Sequence, residues 1–311
     1  MESPQIIKLI QDSTKVLILT HQKPDGDAIG SSLALYWALT RMGKQAHLIC
    51  KDPIPKAFLF LENSKMFKKN FLVADGNLMI IIDCGDLRRT GFPDRIKKYL
   101  NSKIKIINID HHPNNDLAKL TRFNYIDTNS ASASQLIFQI IEKLHCYVDT
   151  KIATALFTGV YFDTGGFKHI NTDIEVLDFA GKMMSFGAEM KTLKNIFPAH
   201  RFNSLKLWGH AFSNIELDDY GIAKIVISKN DMEKLSASQT DLLGLANVIA
   251  SINEVNIALV LWETEDGIKG TLRTQKDAID VAKLARLLGG GGYRKAAGFT
   301  LDYGLSSIQR T

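Results

Sequence analysis

Four short stretches of the chain gather histidine and aspartate. They are His21, Asp25 and Asp27 in "HQKPDGDAIG", Asp83 with Asp86 in "IIDCGD", Asp110-His111-His112 in "NIDHHPNN", and Asp163 in "GVYFDTGGFKH". Carboxylate oxygen and imidazole nitrogen suit intermediate divalent cations, and without thiolate donors manganese, magnesium and zinc all stay open. Two ions about 4 Å apart need one shared donor and several terminal ones, which four converging loops can supply. Asp25 and Asp27, two apart in an extended loop, would point to one side and serve neighbouring ions, with Gly26 permitting a tight backbone turn between them. A lone aspartate at a strand end is more often a helix cap or turn residue, and paired histidines before Pro113 are weak by themselves. The argument for a metal centre is the joint recurrence.

The elements that must position these residues are legible as apolar runs. "VLILT" (16–20), "QAHLIC" (45–50), "LMIII" (78–82) and "IKIINI" (104–109) read as buried strands. A short amphipathic helix precedes the first of them. Helical length covers 28–43, ending on the C-cap candidate Gly43, then 134–144 and 151–162, the last running into Asp163. Strands alternating with helices predict an open, mostly parallel sheet. Ligands of such sheets sit at the carboxyl ends of the strands, so His21, Asp83 and Asp110 would line one edge. The helix beginning near Ala28 would turn the partial positive charge of its N-terminus toward an anion.

After about Gly187 the texture changes. Strand-like runs at 222–228, 256–263 and 267–274 alternate with helical 241–251 and 280–289. The expected fold class is therefore α/β: a mostly parallel-sheet domain over 1–187, a helical connector over 188–214, and a smaller α/β domain over 215–311, with an active-site cleft between the domains.

Composition narrows the function classes. With 311 residues, 45% hydrophobic and 23% charged, the chain resembles an average globular protein that can bury a core without metal. A metal would then serve chemistry rather than folding. The net charge of +5 suits a small anion or a short oligonucleotide and argues against a long duplex, which calls for a dense basic face. Cys50, Cys84 and Cys146 form no C-x-x-C pair, which argues against a disulfide framework and a thiolate zinc site and fits a reducing cytoplasm. Cys84 reads as a small buried filler. No run approaches the roughly 18 apolar residues of a membrane span, and the N-terminus does not read as a signal peptide, so no membrane partner is expected.

In their order along the chain these motifs resemble those of the DHH phosphoesterase superfamily, named for the triplet seen here as Asp110-His111-His112. The tail "GGGGYRKAAGF" (289–299) is similar to the DHH-associated C-terminal domain, so the resemblance spans nearly the whole chain. It implies two Mn2+, or Mg2+ or another divalent cation. One ion would be held by His21, Asp25 and Asp83, the other by Asp27, Asp83, His111 and Asp163, with Asp83 bridging. Asp110 would orient a histidine ring, and His112 would lie near the scissile phosphate as a proton donor. Gly290, Gly291 and Gly292 would let a phosphate approach backbone N–H groups, while Arg273 and Arg294 are candidates for binding it. A surface ion pair is the ordinary alternative for either arginine. The superfamily's glycine run normally ends in histidine. Here Tyr293 follows, able to hydrogen-bond and stack but uncharged near neutral pH, which bears on substrate choice more than on hydrolysis.

The activity this resemblance implies is hydrolysis of short single-stranded oligonucleotides to nucleoside monophosphates, together with removal of the 3′-phosphate from 3′-phosphoadenosine 5′-phosphate. A linear or cyclic dinucleotide phosphodiesterase is the alternative within enzymes, and self-association as a homodimer is compatible with either. A manganese pyrophosphatase would share the first-domain motifs but not the glycine-rich tail. A non-catalytic nucleotide-binding module would show missing ligands, whereas all six are present.

Overall fold

A computed structural model describes residues 3–72, 76–100, 102, 104–195, 202–265 and 267–302. Its first part runs α1 (Ser3–Asp12), β1 (Lys15–Leu19), α2 (Gly26–Arg41), β2 (Gln45–Ile49), β3 (Leu78–Ile82), α3 (Pro93–Leu100), β4 (Lys105–Asp110), a single turn α4 (Leu117–Leu120), β5 (Phe123–Ile126), α5 (Ala133–Lys143), α6 (Thr150–Asp163) and α7 (Ile174–Ser185). The apolar runs become strands because both of their faces are covered. Val16, Ile18, Ile80, Ile82, Ile107 and Ile109 face a core shared with α2, α5 and α6. The alternate residues Leu17, Leu19, Met79, Ile81 and Ile106 join Phe71, Phe92 and the α3 residues Ile96 and Tyr99 on the other side. This is the two-residue period of a strand applied to a sheet with two dry faces.

The five strands are ordered β2-β1-β3-β4-β5, and every pairing is parallel. The chain leaves β1 outward to β2, then returns to the other side of β1 for β3. That reversal makes the gap between the carboxyl ends of β1 and β3 the topological switch point, where sheets of this kind open a crevice for ligands. His21 and Asp83 follow those two strand ends.

Glycines set the approach of α2 to α6. A Cβ at Gly30 would collide with the Ala155 carbonyl, and one at Gly159 with the Ser134 hydroxyl and the Asp27 carboxylate. At Gly26 it would meet the Phe162 side chain at 2.5 Å. Gly26 was expected to permit a tight turn between Asp25 and Asp27. Instead it is the first residue of α2 and is there for close packing on α6.

The chain divides into two compact units, Met1–Pro198 and Ala199–Thr311. Of the expected connector, residues 196–201 lie outside the described residues. Its later part is helix α8 (Phe202–Ser213), whose Leu207 and Ala211 are buried in the second unit's core. There follow β6 (Glu216–Leu217), β7 (Ile222–Ile227), α9 (Lys229–Lys234), α10 (Leu245–Ala250), β8 (Ile257–Thr264), β9 (Gly267–Arg273), α11 (Val281–Leu287), β10 (Gly291–Tyr293) and β11 (Ala296–Leu301). They form a six-stranded sheet ordered β10-β11-β9-β8-β7-β6, antiparallel except for β7 against β8. α8 and α10 cover one face and α11 the other. Among the described residues no helix is long and apolar enough to cross a membrane.

Gly30→Ala separates the two roles of glycine. Inside a helix, alanine ordinarily gains about 0.5–1 kcal/mol over glycine. The Ala155 carbonyl is backbone and cannot step aside, so overpacking of about 1–3 kcal/mol should win. Chemical denaturation should show a net loss of stability; a gain would mean that the close approach of α2 to α6 is not a constraint.

Candidate metal centre

Each donor is aimed by backbone around it. His21 Nδ1 lies 2.7 Å from the Gln22 carbonyl oxygen. A carbonyl only accepts, so Nδ1 carries the proton and Nε2 presents its lone pair inward. His111 is set the same way by the Ser130 carbonyl, 3.3 Å from its Nδ1. Asp25 is the N-cap of α2: its Oδ1 accepts from the Asp27 and Ala28 N–H groups at 3.1 Å each, leaving Oδ2 free. The N-terminal charge of α2 is thus met by a side chain of the site itself, not held open for a substrate anion as expected. Asp27 is pinned by the start of α5, accepting from Ala133 N–H at 2.5 Å, Ser134 N–H at 3.0 Å and the Ser134 hydroxyl at 2.5 Å.

Asp83 lies at the centre. It is 2% exposed, and its φ of +55° is in the left-handed region that few residues other than glycine occupy. Its two oxygens diverge. Oδ2 is 3.6 Å from His21 Nε2, which is itself 3.6 Å from Asp25 Oδ2. Oδ1 is 3.5 Å from His111 Nε2, which is 3.2 Å from Asp163 Oδ2 and 4.0 Å from Asp27 Oδ2. Two donor groups, His21-Asp25-Asp83 and Asp27-His111-Asp163, therefore adjoin the same carboxylate, and within each all donor atoms lie within 4.8 Å of one another.

These spacings mostly exceed hydrogen bonds. They approach the roughly 3 Å that separates neighbouring donors held about 2.1 Å from one small cation. Among the described residues, Asp83 Oδ1 and His111 Nε2 are buried and have no hydrogen-bond partner, a cost of about 1–3 kcal/mol each if nothing fills the space. Residues present and atoms left unsatisfied both fit divalent cations.

The electrostatics agree. Burial opposes the charge on His21, but Asp25 and Asp83 outweigh it and push its pKa up to about 10. His111 is pushed to about 12, burial again being overcome by Asp163 and Asp83. For Asp83, burial would raise the pKa, yet the close approach and positive charge of His111 and His21 hold it below the carboxylate range. Asp27 rises to about 7, through burial and then the Asp83 charge. Asp163 lies well above its ordinary value through burial and the Asp27 charge. Protons here hold places that cations would otherwise take.

Asp110, fully buried, is bonded within the triplet itself, and with Asp83, His111 and His112 it forms a third group of possible donors. Its Oδ1 accepts from His112 Nδ1 at 2.8 Å and from the His111 and His112 N–H groups at 2.9 and 3.3 Å. Asn115 donates to its Oδ2 at 2.7 Å. With Nδ1 bound to Asp110, Nε2 is the ring nitrogen left for a ligand, and the side chain is 22% exposed. Asp86 is not drawn in: it binds Arg88 at 3.1 Å. Burial raises the Cys84 thiol pKa well above its usual value, as suits a filler.

In the second unit, a groove of about 660 Å³ is lined by Trp262, Thr271, Arg273, Tyr293, Phe299 and the glycines 289–292. Arg273 Nε donates to Asn247 Oδ1 at 3.0 Å, and its NH1 to Thr271 Oγ1 and the Leu272 carbonyl at 2.9 Å. Burial presses this guanidinium toward its neutral form. Tyr293 is 57% exposed. The glycine run differs from the expected open phosphate cradle. Gly290 N–H is used to close α11 on the Ala285 carbonyl at 2.8 Å, and Gly291–Tyr293 pairs with β11. A Cβ at Gly290 would strike Gly298 and Phe299, so close packing requires this glycine. Arg294 is not among the groove-lining residues: its NH2 donates to the Asp277 carbonyl at 2.6 Å, which turns it away.

Residues 15–160 match the family described as DHH family, N-terminal domain, and residues 220–310 match the DHHA1 domain. The chain carries a DHH domain followed by a DHHA1 domain. It is 28% identical over 297 residues to the bifunctional oligoribonuclease and PAP phosphatase NrnA of Thermus thermophilus, covering 96% of this chain and 86% of that one. It is 26% identical to the NrnA of Bacillus subtilis, covering 96% and 92%. The crystal structure of an exopolyphosphatase-related protein from Bacteroides fragilis superposes with a TM-score of 0.86 at 25% identity, over 99% of this chain and 93% of that one.

In this DHH chain the six donors named from sequence meet in one place, with Asp110 and His112 beside them, whereas of the second-unit candidates Arg294 stays apart. Sequence reasoning missed Ser134, which fixes Asp27. "SASASQ" reads only as a polar lead into a helix. It also missed Arg89, whose NH2 lies 3.2 Å from His21 Nδ1. With the proton on that nitrogen, the guanidinium is a neighbouring positive charge rather than a donor to the ring.

Metal loading should expel protons. At pH 7.5 His21 and His111 hold them without metal, and a ligand must give its proton up. Calorimetry of Mn2+ binding in buffers of different ionisation enthalpy should report about two or more protons released per protein, with affinity rising with pH. Release of none would place the cations elsewhere.

Proposed function

We propose that this protein is a divalent-metal phosphoesterase that hydrolyses short single-stranded oligonucleotides to nucleoside monophosphates and 3′-phosphoadenosine 5′-phosphate to AMP, with Mn2+ as the working ion. The observation that carries it is Asp83, whose two oxygens face two separate donor groups. When bound, a pair of cations supplies charge neutralisation at the phosphoryl group and a water acidic enough to act near neutral pH. The chain's own residues do the rest. His21, Asp25 and Asp83 would hold one ion and Asp27, Asp83, His111 and Asp163 the other. Asp110 takes the proton of His112 Nδ1 in a hydrogen bond, so that His112 Nε2 is presented to a phosphoryl oxygen or leaving group.

Support for the substrate class comes from the relatives named oligoribonuclease and PAP phosphatase, matched over nearly the whole chain. The DHHA1 unit contributes Arg273 as the cation for a substrate phosphate, with Tyr293 exposed in the same groove for stacking on a base. The modest net charge of +5 favours short strands over duplex. Three free cysteines fit work in the cytoplasm.

Asp83→Ala should cut hydrolysis by on the order of a thousandfold or more and lower bound Mn2+, measured by product release and elemental analysis of the purified protein. The substrate panel is di- to hexaribonucleotides, 3′-phosphoadenosine 5′-phosphate, cyclic dinucleotides and pyrophosphate. Turnover of pyrophosphate alone, or near-normal activity of the variant, would overturn the proposal. Binding of oligonucleotide without product would favour a nucleotide-binding module.

Tyr293→His restores the usual superfamily residue. It should shift KM for short RNA more than kcat; unchanged kinetics across the panel would remove Tyr293 from recognition.

A further inference from the structure

Arg273 keeps unusual company for a half-buried guanidinium. Its partners are the Asn247 side-chain oxygen, the Thr271 hydroxyl, the Leu272 carbonyl and, at 3.5 Å, the Ala297 carbonyl. All four are neutral, and no carboxylate is among its partners in the described residues. A structural arginine partly withdrawn from water is usually paired with an acid, because the less water reaches a charge the more it costs to leave it unpaired. Here Nε and NH1 are occupied, and NH2 meets no acceptor among the described residues, on a side chain that lines the glycine groove.

The one side-chain acceptor on Nε comes from α10. Asn247 stands on this short helix, which starts from Gly244 at a φ of +89° and packs Leu245 and Ile249 into the core. Its amide orientation follows from chemistry: an Arg Nε–H needs an oxygen, so Oδ1 faces the guanidinium. Thr271 completes the arrangement. Its hydroxyl donates to the Ala297 carbonyl at 3.3 Å and so presents a lone pair to NH1. Every partner restrains the guanidinium plane and none neutralises it.

We infer that Asn247 is a positioning residue: it aligns Arg273 for an anionic phosphoryl group and, being an amide rather than a carboxylate, leaves the arginine's charge for that group. The inference rests on the proposed role of Arg273 in substrate binding and adds a condition to it. Geometry alone would be served equally well by aspartate at 247. Charge would not, because an acid there would pair with Arg273 and compete with the substrate phosphate.

Three variants of the full-length protein test this: Arg273→Gln, Asn247→Asp and Asn247→Ala. Steady-state kinetics on the 5′-phosphorylated RNA dinucleotide pApA with Mn2+ are read beside thermal unfolding. Arg273→Gln should raise KM. Asn247→Asp should raise KM by about fivefold or more, equivalent to about 1 kcal/mol, with kcat within about twofold. Its melting temperature should be at or above wild type, since a new ion pair forms. Asn247→Ala should raise KM while lowering the melting temperature. A purely structural asparagine predicts the opposite coupling, with KM and stability both unharmed by Asn247→Asp. If Arg273→Gln weakens substrate binding and Asn247→Asp does not, the inference fails alone. If Arg273→Gln is silent, the phosphate-binding reading of this unit fails and takes the inference with it.

Discussion

A carboxylate sealed at the end of a strand stays ionised only if positive charge meets it, and at Asp83 that charge must arrive from two sides. His21 approaches one oxygen and His111 the other. Neither imidazole can be placed without the sheet. His21 comes from the end of β1 and His111 from just beyond β4, the two neighbours of β3. Parallel pairing brings three carboxyl ends to one level, so three consecutive strands in space deliver the three central groups. The left-handed backbone of Asp83 turns its side chain between them, and strain of this kind persists only where the surroundings over-determine it.

The outer carboxylates face a harder problem. Asp27 and Asp163 sit near Asp83 and each other, where like charges raise the cost of ionisation. The fold answers with dipoles for Asp27, through the first N–H groups of α5 and the Ser134 hydroxyl. Asp163 has His111. The close approach of α2 to α6 that makes this possible passes through Gly30 and Gly159, so glycines that donate nothing to an ion still govern donor geometry. A site built this way is complete before metal arrives, with protons where ions would be. Two separate hydrophobic faces on the sheet keep folding independent of the cations.

Much of this was legible in the sequence, and the failures have physical causes. β3 falls on the predicted 78–82 because a five-residue apolar run with both faces covered leaves little ambiguity. β5, β10 and β11 were missed. Phe123–Ile126 is a four-residue edge strand with only alternate residues buried. Gly291–Tyr293 and Ala296–Leu301 are rich in glycine and alanine, and pairing partners rather than intrinsic preference make them strands. The donor set was readable because His and Asp recurred after strands; Ser134 and Arg89 carried no such signal, since serine before a helix and arginine on a loop are ordinary. The glycines misled in one consistent way. Gly26 and Gly290 were read for backbone freedom or phosphate access, yet both mark places where another part of the chain presses close, a property of tertiary packing that no local pattern encodes.

The two units solve opposite electrostatic problems. At the metal centre of the first, carboxylates outnumber histidines, so an anionic phosphate is repelled until cations are in place. The second offers a cation that, among the described residues, has no acid beside it: Arg273 is held there by neutral oxygens. With tyrosine rather than histidine at 293, no second cation stands at the end of the glycine run, and Arg294 is turned toward Asp277. Lys269 also lines the groove, but it stands four residues back along β9. Near the end of β9, the charge that can meet a phosphate is therefore concentrated on Arg273. That concentration makes the neutrality of its neighbours consequential: a single carboxylate at 247 would cancel what a site with two adjacent cations could spare.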